Sequence, residues 1–444
     1  MTSVALGRRV HPARTVVSAL LGAVVIGTGL LLLPAASVQP GGVSFLDGLF
    51  TAVSAVCVTG LVVLPPSAWT PFGQGVILAL IQIGGLGVMT LASVIGLTVL
   101  RRMSLRSTLR ASAEHPSPLR DMRLLVKGVV LISLAVEAGI ALPLVARFAL
   151  GYDMPFASAL WHGVFTAVSS FNNAGFALHP ASLMTYVGDP LIILPVCVAI
   201  IVGGLGFPVI LQLRRHLAPR LWSMNTRLVL VGTAVLLVAG TVVIALLEWD
   251  NPATLGALAT EDRVLAAFTQ SVQTRTAGFN SVDIAAMDTA TWLVMDVLMF
   301  IGGGPAGTAG GIKITTFAVL FFIILTEVRG ERAVNIFGKR LSRAVHRQAI
   351  SVALLAMALV VTSTVALMWM TDFTLDQILF EVISAFATVG LSTGITADLP
   401  VAAEVILILL MVIGRLGPIT FASALALRER TRQYEFPKER PIIG

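Results

Sequence analysis

The chain has 444 residues, of which 56% are hydrophobic and 12% charged, about half the charge content of an ordinary soluble domain, and this excludes a soluble globular protein. Its 30 Lys and Arg against 23 Asp and Glu leave a formal charge of +7, which suits nucleic acid or anionic lipid until the placement of the charges is considered. Cys57 and Cys197 lie in apolar surroundings without CxxC or His-rich company, so neither a disulfide framework nor a zinc site is indicated.

A bilayer-spanning helix needs about 20 mostly apolar residues. In chain order, long apolar runs predict full spans at 15–33, 75–100, 125–150, 190–213, 226–248, 291–328, 347–370 and 402–427. Between the members of each pair lies a shorter, partly polar segment, such as Phe45 to Val56 or Phe156 to Ser170. These are too short to cross but long enough for a re-entrant half-helix. The expected architecture is an all-α polytopic membrane protein of four repeats, each a span, a pore helix and a span. That makes eight transmembrane helices and four re-entrant pore helices. The repeats occupy residues 1–110, 111–222, 223–340 and 341–444, the last including a C-terminal tail.

Cytoplasmic loops are enriched in Lys and Arg, and 25 of the 30 basic residues form five clusters at the repeat boundaries. These lie at Arg8 to Arg14, Arg101 to Lys127, Arg214 to Arg227, Arg329 to Arg347 and Arg428 to Arg440. Two crossings per repeat return the chain to the same side, so both termini and all five clusters are expected in the cytoplasm. The positive charge is then a topology signal, and the nucleic-acid reading loses its support. Asp47, Asp153, Asp189, Glu261, Asp262, Asp283, Asp372 and Asp398 fall on the opposite side, where they either attract a cation or simply solvate loops.

The half-helices superpose without gaps as Phe50-TAVSAVCVT-Gly60, Phe165-TAVSSFNNA-Gly175, Phe268-TQSVQTRTA-Gly278 and Phe380-EVISAFATV-Gly390. The residue after each Gly is Leu61, Phe176, Phe279 or Leu391. A half-helix followed by a short extended stretch with Gly lets backbone carbonyls line an aqueous path inside the membrane. Each Gly permits a backbone conformation that turns carbonyl oxygens toward a cation. Close helix packing at small residues explains one such Gly, but not four in register. The filter candidates are therefore Val58, Thr59 and Gly60; Asn173, Ala174 and Gly175; Thr276, Ala277 and Gly278; and Thr388, Val389 and Gly390. Thr388-Val389-Gly390 is nearest to the potassium-channel triplet TVG.

A second alignment lies in the following helix of each repeat: Gly84-Gly85-Leu86-Gly87, Gly203-Gly204-Leu205-Gly206, Gly302-Gly303-Gly304-Pro305 and Gly414-Arg415-Leu416-Gly417. Arg415 thus stands where the other repeats have glycine. A mid-membrane Arg is costly, and it is read either as a cationic barrier beneath the filter or as one half of a salt bridge to Asp296 or Glu137. In the third repeat, residues 301–314 read IGGGPAGTAGGIKI. Gly costs about 1 kcal/mol and Pro about 3 kcal/mol inside a helix, so the span should break into two helices joined by an intramembrane loop. Gly302, Gly303, Gly304, Pro305, Ala306, Gly307, Thr308, Ala309, Gly310 and Gly311 form a candidate gate, with a hydroxyl from Thr308 and a charge from Lys313; a passive kink is the alternative. It is not a phosphate-binding loop, because no Gly-Lys-Ser or Gly-Lys-Thr follows.

Together these features, and in particular TRTAGFN from Thr274 to Asn280, resemble the Trk/Ktr/HKT superfamily of potassium transporters over nearly the whole chain. Because the first repeat begins almost at the N-terminus without an extra pair of spans, the chain is more similar to the KtrB branch than to TrkH. The resemblance implies a homodimeric potassium-selective pore subunit in a bacterial plasma membrane, one pore per protomer. It assigns the filter to Gly60, Gly175, Gly278 and Gly390, the gating loop to Gly302 through Gly311, and the barrier to Arg415. It also implies a cytoplasmic ring of KtrA-like nucleotide-binding subunits responding to ATP or ADP, stimulation by sodium, and a tail ending at Gly444 near the dimer contact. No organic cofactor is implied. A proton- or sodium-coupled transporter of another small solute is the main alternative, since broken helices also form substrate sites. Four like copies of a half-helix argue against it. An intramembrane enzyme is disfavoured by the lack of HExxH, GxSxG or paired carboxylates.

Overall fold

The computed structural model describes residues 12–104 and 118–417, with side-chain environments for 18–90 and 126–417. The basic clusters at Arg8 to Arg14 and Arg428 to Arg440, most of that at Arg101 to Lys127, and the tail to Gly444 lie outside the described residues or side chains. What is described is mostly helical: α1 (Pro12–Leu31), α2 (Phe45–Cys57), α3 (Pro71–Ser104), α4 (Pro118–Gly151), α5 (Phe156–Asn172), α6 (Pro190–Leu205), α7 (Phe207–Arg215), α8 (Met224–Glu248), α9 (Thr260–Gln273), α10 (Thr289–Phe300), α11 (Ile314–Val328), α12 (Arg343–Met370), α13 (Leu375–Ala387) and α14 (Val401–Leu416). A two-residue hairpin, β1 (Asn335–Ile336) with β2 (Lys339–Arg340), joins α11 to α12.

Four stretches, Pro71–Thr90, Val126–Gly151, Met224–Glu248 and Arg343–Met370, are long and apolar enough to cross a membrane unbroken. Their outward faces carry exposed apolar side chains, among them Leu131, Leu142, Val235, Val242, Leu354 and Val361. Such faces are stable against lipid, where the helical backbone has no unmet hydrogen bond. Of the other runs read as spans, 15–33 is met by α1 and 402–427 in part by α14, the rest of it lying outside the described residues, whereas the expectation of an unbroken helix over 190–213 fails. The chain turns through 98° between α6 and α7, at Gly206 with φ +90°. Between α10 and α11 the chain is likewise not helical.

The shorter helices are set by local signals. Ser44 accepts from the Asp47 amide at the start of α2, and Thr374 and Gln377 form a capping box at the start of α13, satisfying amides that have no partner within the helix. At their C-termini α2, α5 and α13 stop on left-handed residues Val58, Asn173 and Thr388. Of the short helices, α2, α5 and α13 pack on both neighbouring helices and α9 on α8, and each also meets a helix earlier or later in the chain in an order that closes: α2 on α14, α5 on α3, α9 on α6 and α13 on α10. Phe50, Phe165 and Phe380, which open the aligned segments, are fully buried in this packing.

Glycines allow the close approach. A Cβ on Gly84 would lie 2.0 Å from the Val56 carbonyl oxygen, on Gly203 2.0 Å from that of Phe171, and on Gly414 1.7 Å from that of Phe386. Each carbonyl belongs to the residue four before a filter glycine, so three repeats share one contact. The third does not, although its spacing matches: Gly302 sits against the Gly310 carbonyl of its own loop. Replacing Gly414 with Ala should therefore destabilise the protein by about 1 to 3 kcal/mol, read as a lowered Tm in detergent. Gly22→Ala, with open space around it, should leave Tm unchanged.

Candidate conduction pathway

The four filter candidates converge through their backbones. Val58, Asn173, Thr276 and Thr388 all have positive φ, at 55°, 58°, 68° and 50°, a conformation that costs a non-glycine residue about 1 to 3 kcal/mol and persists only where the surroundings impose it. Two residues later Gly60, Gly175, Gly278 and Gly390 again have positive φ, at 93°, 72°, 77° and 93°. A Cβ on Gly60 would lie 2.4 Å from the Ala174 carbonyl oxygen, on Gly175 2.8 Å from that of Ala277, on Gly278 2.2 Å from that of Val389, and on Gly390 2.2 Å from that of Thr59. Each glycine thus abuts the carbonyl preceding the next glycine, and the order closes on itself. The four glycines open onto a cavity of about 320 Å³, whose wall also includes Ser392 and Thr396.

Hydrogen bonds behind the ring hold this geometry. The amides of Thr59, Ala174 and Val389 donate to the carbonyls of Ser54, Ser169 and Ser384, each at 2.8 Å. The hydroxyls of the same serines also serve the extended stretch: Ser54 donates to the Leu61 carbonyl at 2.7 Å and accepts from the Gly60 amide at 3.1 Å. Ser169 donates to the Phe176 carbonyl at 2.8 Å, and Ser384 accepts from the Gly390 amide at 3.1 Å. In the third repeat Gln273 takes over, accepting from the Phe279 amide at 3.1 Å. Sequence reasoning passed over these residues. A signal existed: Ser stands four after the aligned Phe in three repeats, and Val272 occupies that place in the third.

The glycine-rich segment lies against the inner side of this ring. Its ends pair, Gly302 amide to Ile312 carbonyl at 2.8 Å and Ile314 amide to Gly303 carbonyl at 3.0 Å. The α6–α7 bend receives its middle. The amides of Gly304 and Thr308 donate to the carbonyls of Gly204 and Gly203 at 2.8 and 3.2 Å, and the Phe207 amide donates to the Ala306 carbonyl at 3.1 Å. A Cβ on Gly206 would meet the Pro305 carbonyl at 2.4 Å. The two breaks are therefore complementary: polar backbone freed in one repeat is satisfied by polar backbone freed in the next, as the membrane interior requires.

Thr308 donates its hydroxyl to Asn173 Oδ1 at 3.1 Å, and a Cβ on Gly310 would meet Thr388 Oγ1 and the Ala387 carbonyl. The segment thus touches the second and fourth filter stretches. Arg415 is 4% exposed and donates to the Thr308 carbonyl and, at 3.4 Å, to the Gly84 carbonyl. The salt-bridge alternative fails: among the described residues Arg415 forms no ion pair. Glu137 instead accepts from Gln82 at 3.0 and 3.1 Å and from Asn172 at 3.2 Å, and Asp296 keeps an oxygen without a hydrogen-bond partner. Lys313 folds back onto the Ala309 carbonyl. Arg275 donates to Thr233 Oγ1 and to the Gly302 carbonyl, each at 3.5 Å.

A family model described as TrkH, cation transport protein, matches residues 12–430. The Ktr system potassium uptake protein B of Bacillus subtilis is 39% identical over 410 residues, covering 92% of this chain and 91% of that one. The protein of the same description from Vibrio alginolyticus is 39% identical over 97% and 94% of the two chains. The potassium/sodium uptake protein NtpJ of Enterococcus hirae is 31% identical over 98% of each. The crystal structure of the potassium transporter TrkH from Vibrio parahaemolyticus superposes with a TM-score of 0.73 at 19% identity, covering 95% of this chain and 86% of that one; at that identity the likeness is one of fold. Replacing Arg415 with Ala removes the hydrogen bonds to the loop at Thr308 and to α3 at Gly84, together with the buried charge. Monovalent cation flux through proteoliposomes should rise roughly tenfold with selectivity kept, and unchanged flux in a well-folded variant would argue against a barrier.

Proposed function

The chain belongs to the TrkH family of cation transport proteins, and on that premise we propose that it is the pore-forming membrane subunit of a Ktr-type potassium uptake system. The closed ring of glycine-to-carbonyl contacts carries this reading. Carbonyl oxygens of Val58 to Thr59, Asn173 to Ala174, Thr276 to Ala277 and Thr388 to Val389 would replace part of the hydration shell of potassium. The C-terminal ends of α2, α5, α9 and α13 immediately precede these stretches, so their negative dipole ends favour a cation there. Below the filter, residues 302–311 act as the gate and Arg415 as both barrier and strut, because the same guanidinium supplies a positive charge and holds the loop at Thr308.

In this reading each short helix and its flanking long helices form a repeat of outer helix, pore helix and inner helix, with eight crossings and both termini in the cytoplasm of a bacterial cell. The protein works as a homodimer in the plasma membrane, each protomer with its own pore. A KtrA-like ring binding ATP or ADP regulates the loop from the cytoplasmic side, where the basic segments 214–227 and 329–347 offer docking surfaces. Sodium acts as an activator; the Enterococcus relative is described as a potassium/sodium uptake protein, so that a sodium interaction has a precedent there.

Expression with a KtrA-like partner should restore growth of a potassium-uptake-deficient bacterium on low potassium. Gly278→Ser and Gly390→Ser should each lose this rescue at equal expression, since a side chain there meets a carbonyl at 2.2 Å. No growth with the well-expressed wild type would count against potassium uptake.

A further inference from the structure

The residue following the aligned Phe is Thr51, Thr166 or Thr269 in the first three repeats and Glu381 in the fourth. Glu381 is completely buried on α13, nine residues before Gly390 in sequence. Taking a carboxylate out of water is costly unless hydrogen bonds compensate, and its partners are specific. Glu381 Oε1 accepts from the hydroxyl of Ser392 and, at 3.2 Å, from that of Thr396. Those two hydroxyls lie 2.9 Å apart, and Ser392 Oγ also accepts from the Gly394 amide at 2.8 Å. The segment so gathered, 391–396, follows the filter glycine directly and bends back at Gly394 with φ +96°. Ser392, Gly394 and Thr396 form one side of the cavity onto which all four filter glycines open.

The counterparts of Ser392 in the first two repeats, Val62 and Ala177, have no hydroxyl. In those repeats a serine on the pore helix holds the stretch by its backbone alone. The third uses neutral groups, Ser281 donating to Gln270 Oε1 at 2.9 Å. The fourth repeat keeps the serine bond through Ser384 and adds the carboxylate. Its second oxygen, Oε2, is buried and has no hydrogen-bond partner among the described residues. The additional side-chain hydrogen bonds from Ser392 and Thr396 hold the outer mouth more tightly on the side of the fourth repeat than elsewhere.

We propose that Glu381 is a positioning residue that sets cation selectivity: through Ser392 and Thr396 it fixes the outer mouth against Gly390, and so fixes how a cation sheds water on entering the filter. The inference rests on the potassium-uptake reading and deepens it. Glu381→Gln keeps an acceptor oxygen for both hydroxyls. Glu381→Thr installs the residue that the other three repeats use, Glu381→Ala removes the acceptor, and Ser392→Ala with Thr396→Val removes the donors.

Initial rates of potassium uptake are measured in cells expressing the full chain with a KtrA-like partner, with sodium as competitor and membrane protein quantified for each variant. Glu381→Thr, Glu381→Ala and the Ser392/Thr396 double variant should raise the KM for potassium about tenfold, with maximal rate changed less than about threefold and sodium competing more effectively. Glu381→Gln should keep KM within about threefold of wild type. Wild-type KM and sodium discrimination in Glu381→Ala or in the double variant at normal membrane levels would overturn the inference while leaving potassium uptake intact. Equal impairment of Glu381→Gln and Glu381→Ala would also overturn it, since positioning through an acceptor oxygen would then not be the cause. Failure of the wild type itself to take up potassium removes the reading and the inference together.

Discussion

A glycine in a left-handed conformation, packed against the carbonyl oxygen of the neighbouring repeat, is the contact on which the remaining structure depends. Repeated at Gly60, Gly175, Gly278 and Gly390, it forces four backbone stretches to meet where no side chain fits between them. Backbone polar groups at membrane depth need partners or a path for ions. The hydrogen bonds of Ser54, Ser169, Gln273 and Ser384 satisfy the side of each stretch that faces the protein, leaving carbonyls free on the other. Helices α2, α5 and α13 stop at left-handed residues for the same reason: a helix continuing past Cys57, Asn172 or Ala387 would consume those carbonyls internally.

Upon this fourfold pattern the protein imposes departures at the α6–α7 bend, at the loop between α10 and α11, and at Glu381 and Arg415. The bend at Gly206 and the loop between α10 and α11 are two halves of one joint, since each supplies the hydrogen-bond partners that the other has lost. Arg415 ties this joint to the α3 backbone at Gly84, so the loop is braced by three repeats at once. Glu381 is a further departure, where a carboxyl group stands in the place of threonine and gathers the hydroxyls of Ser392 and Thr396 beside the cavity.

Much of this was legible in the residues. The Phe-to-Gly register located the four stretches because a left-handed backbone beside a neighbouring carbonyl tolerates glycine almost alone. Six glycines and a proline within 301–314 marked the interruption because helix propensity registers that composition directly. The bend at Gly206 was not legible: one glycine at the end of Gly203-Gly204-Leu205-Gly206 resembles the unbroken Gly84-Gly85-Leu86-Gly87 of the first repeat. What distinguishes them is the presence of the loop from the third repeat, about 100 residues further along. The equal spacing of Gly302 likewise concealed an unequal contact, because spacing reports sequence register and not which backbone fills the space.

The sequence by itself determined the membrane-spanning character, the glycines that must meet and the segment that cannot remain helical. These follow from composition, apolar run length and local backbone preference, all of them short-range properties. The tertiary structure decided the partners of the charged groups. Arg415 finds backbone carbonyls of a loop and a distant helix instead of a carboxylate, Glu137 finds amides, and Glu381 finds the hydroxyls beyond its own filter glycine. A buried charge takes whichever hydrogen-bonding groups the packing of remote elements brings within reach, and no pattern along the chain states which those will be.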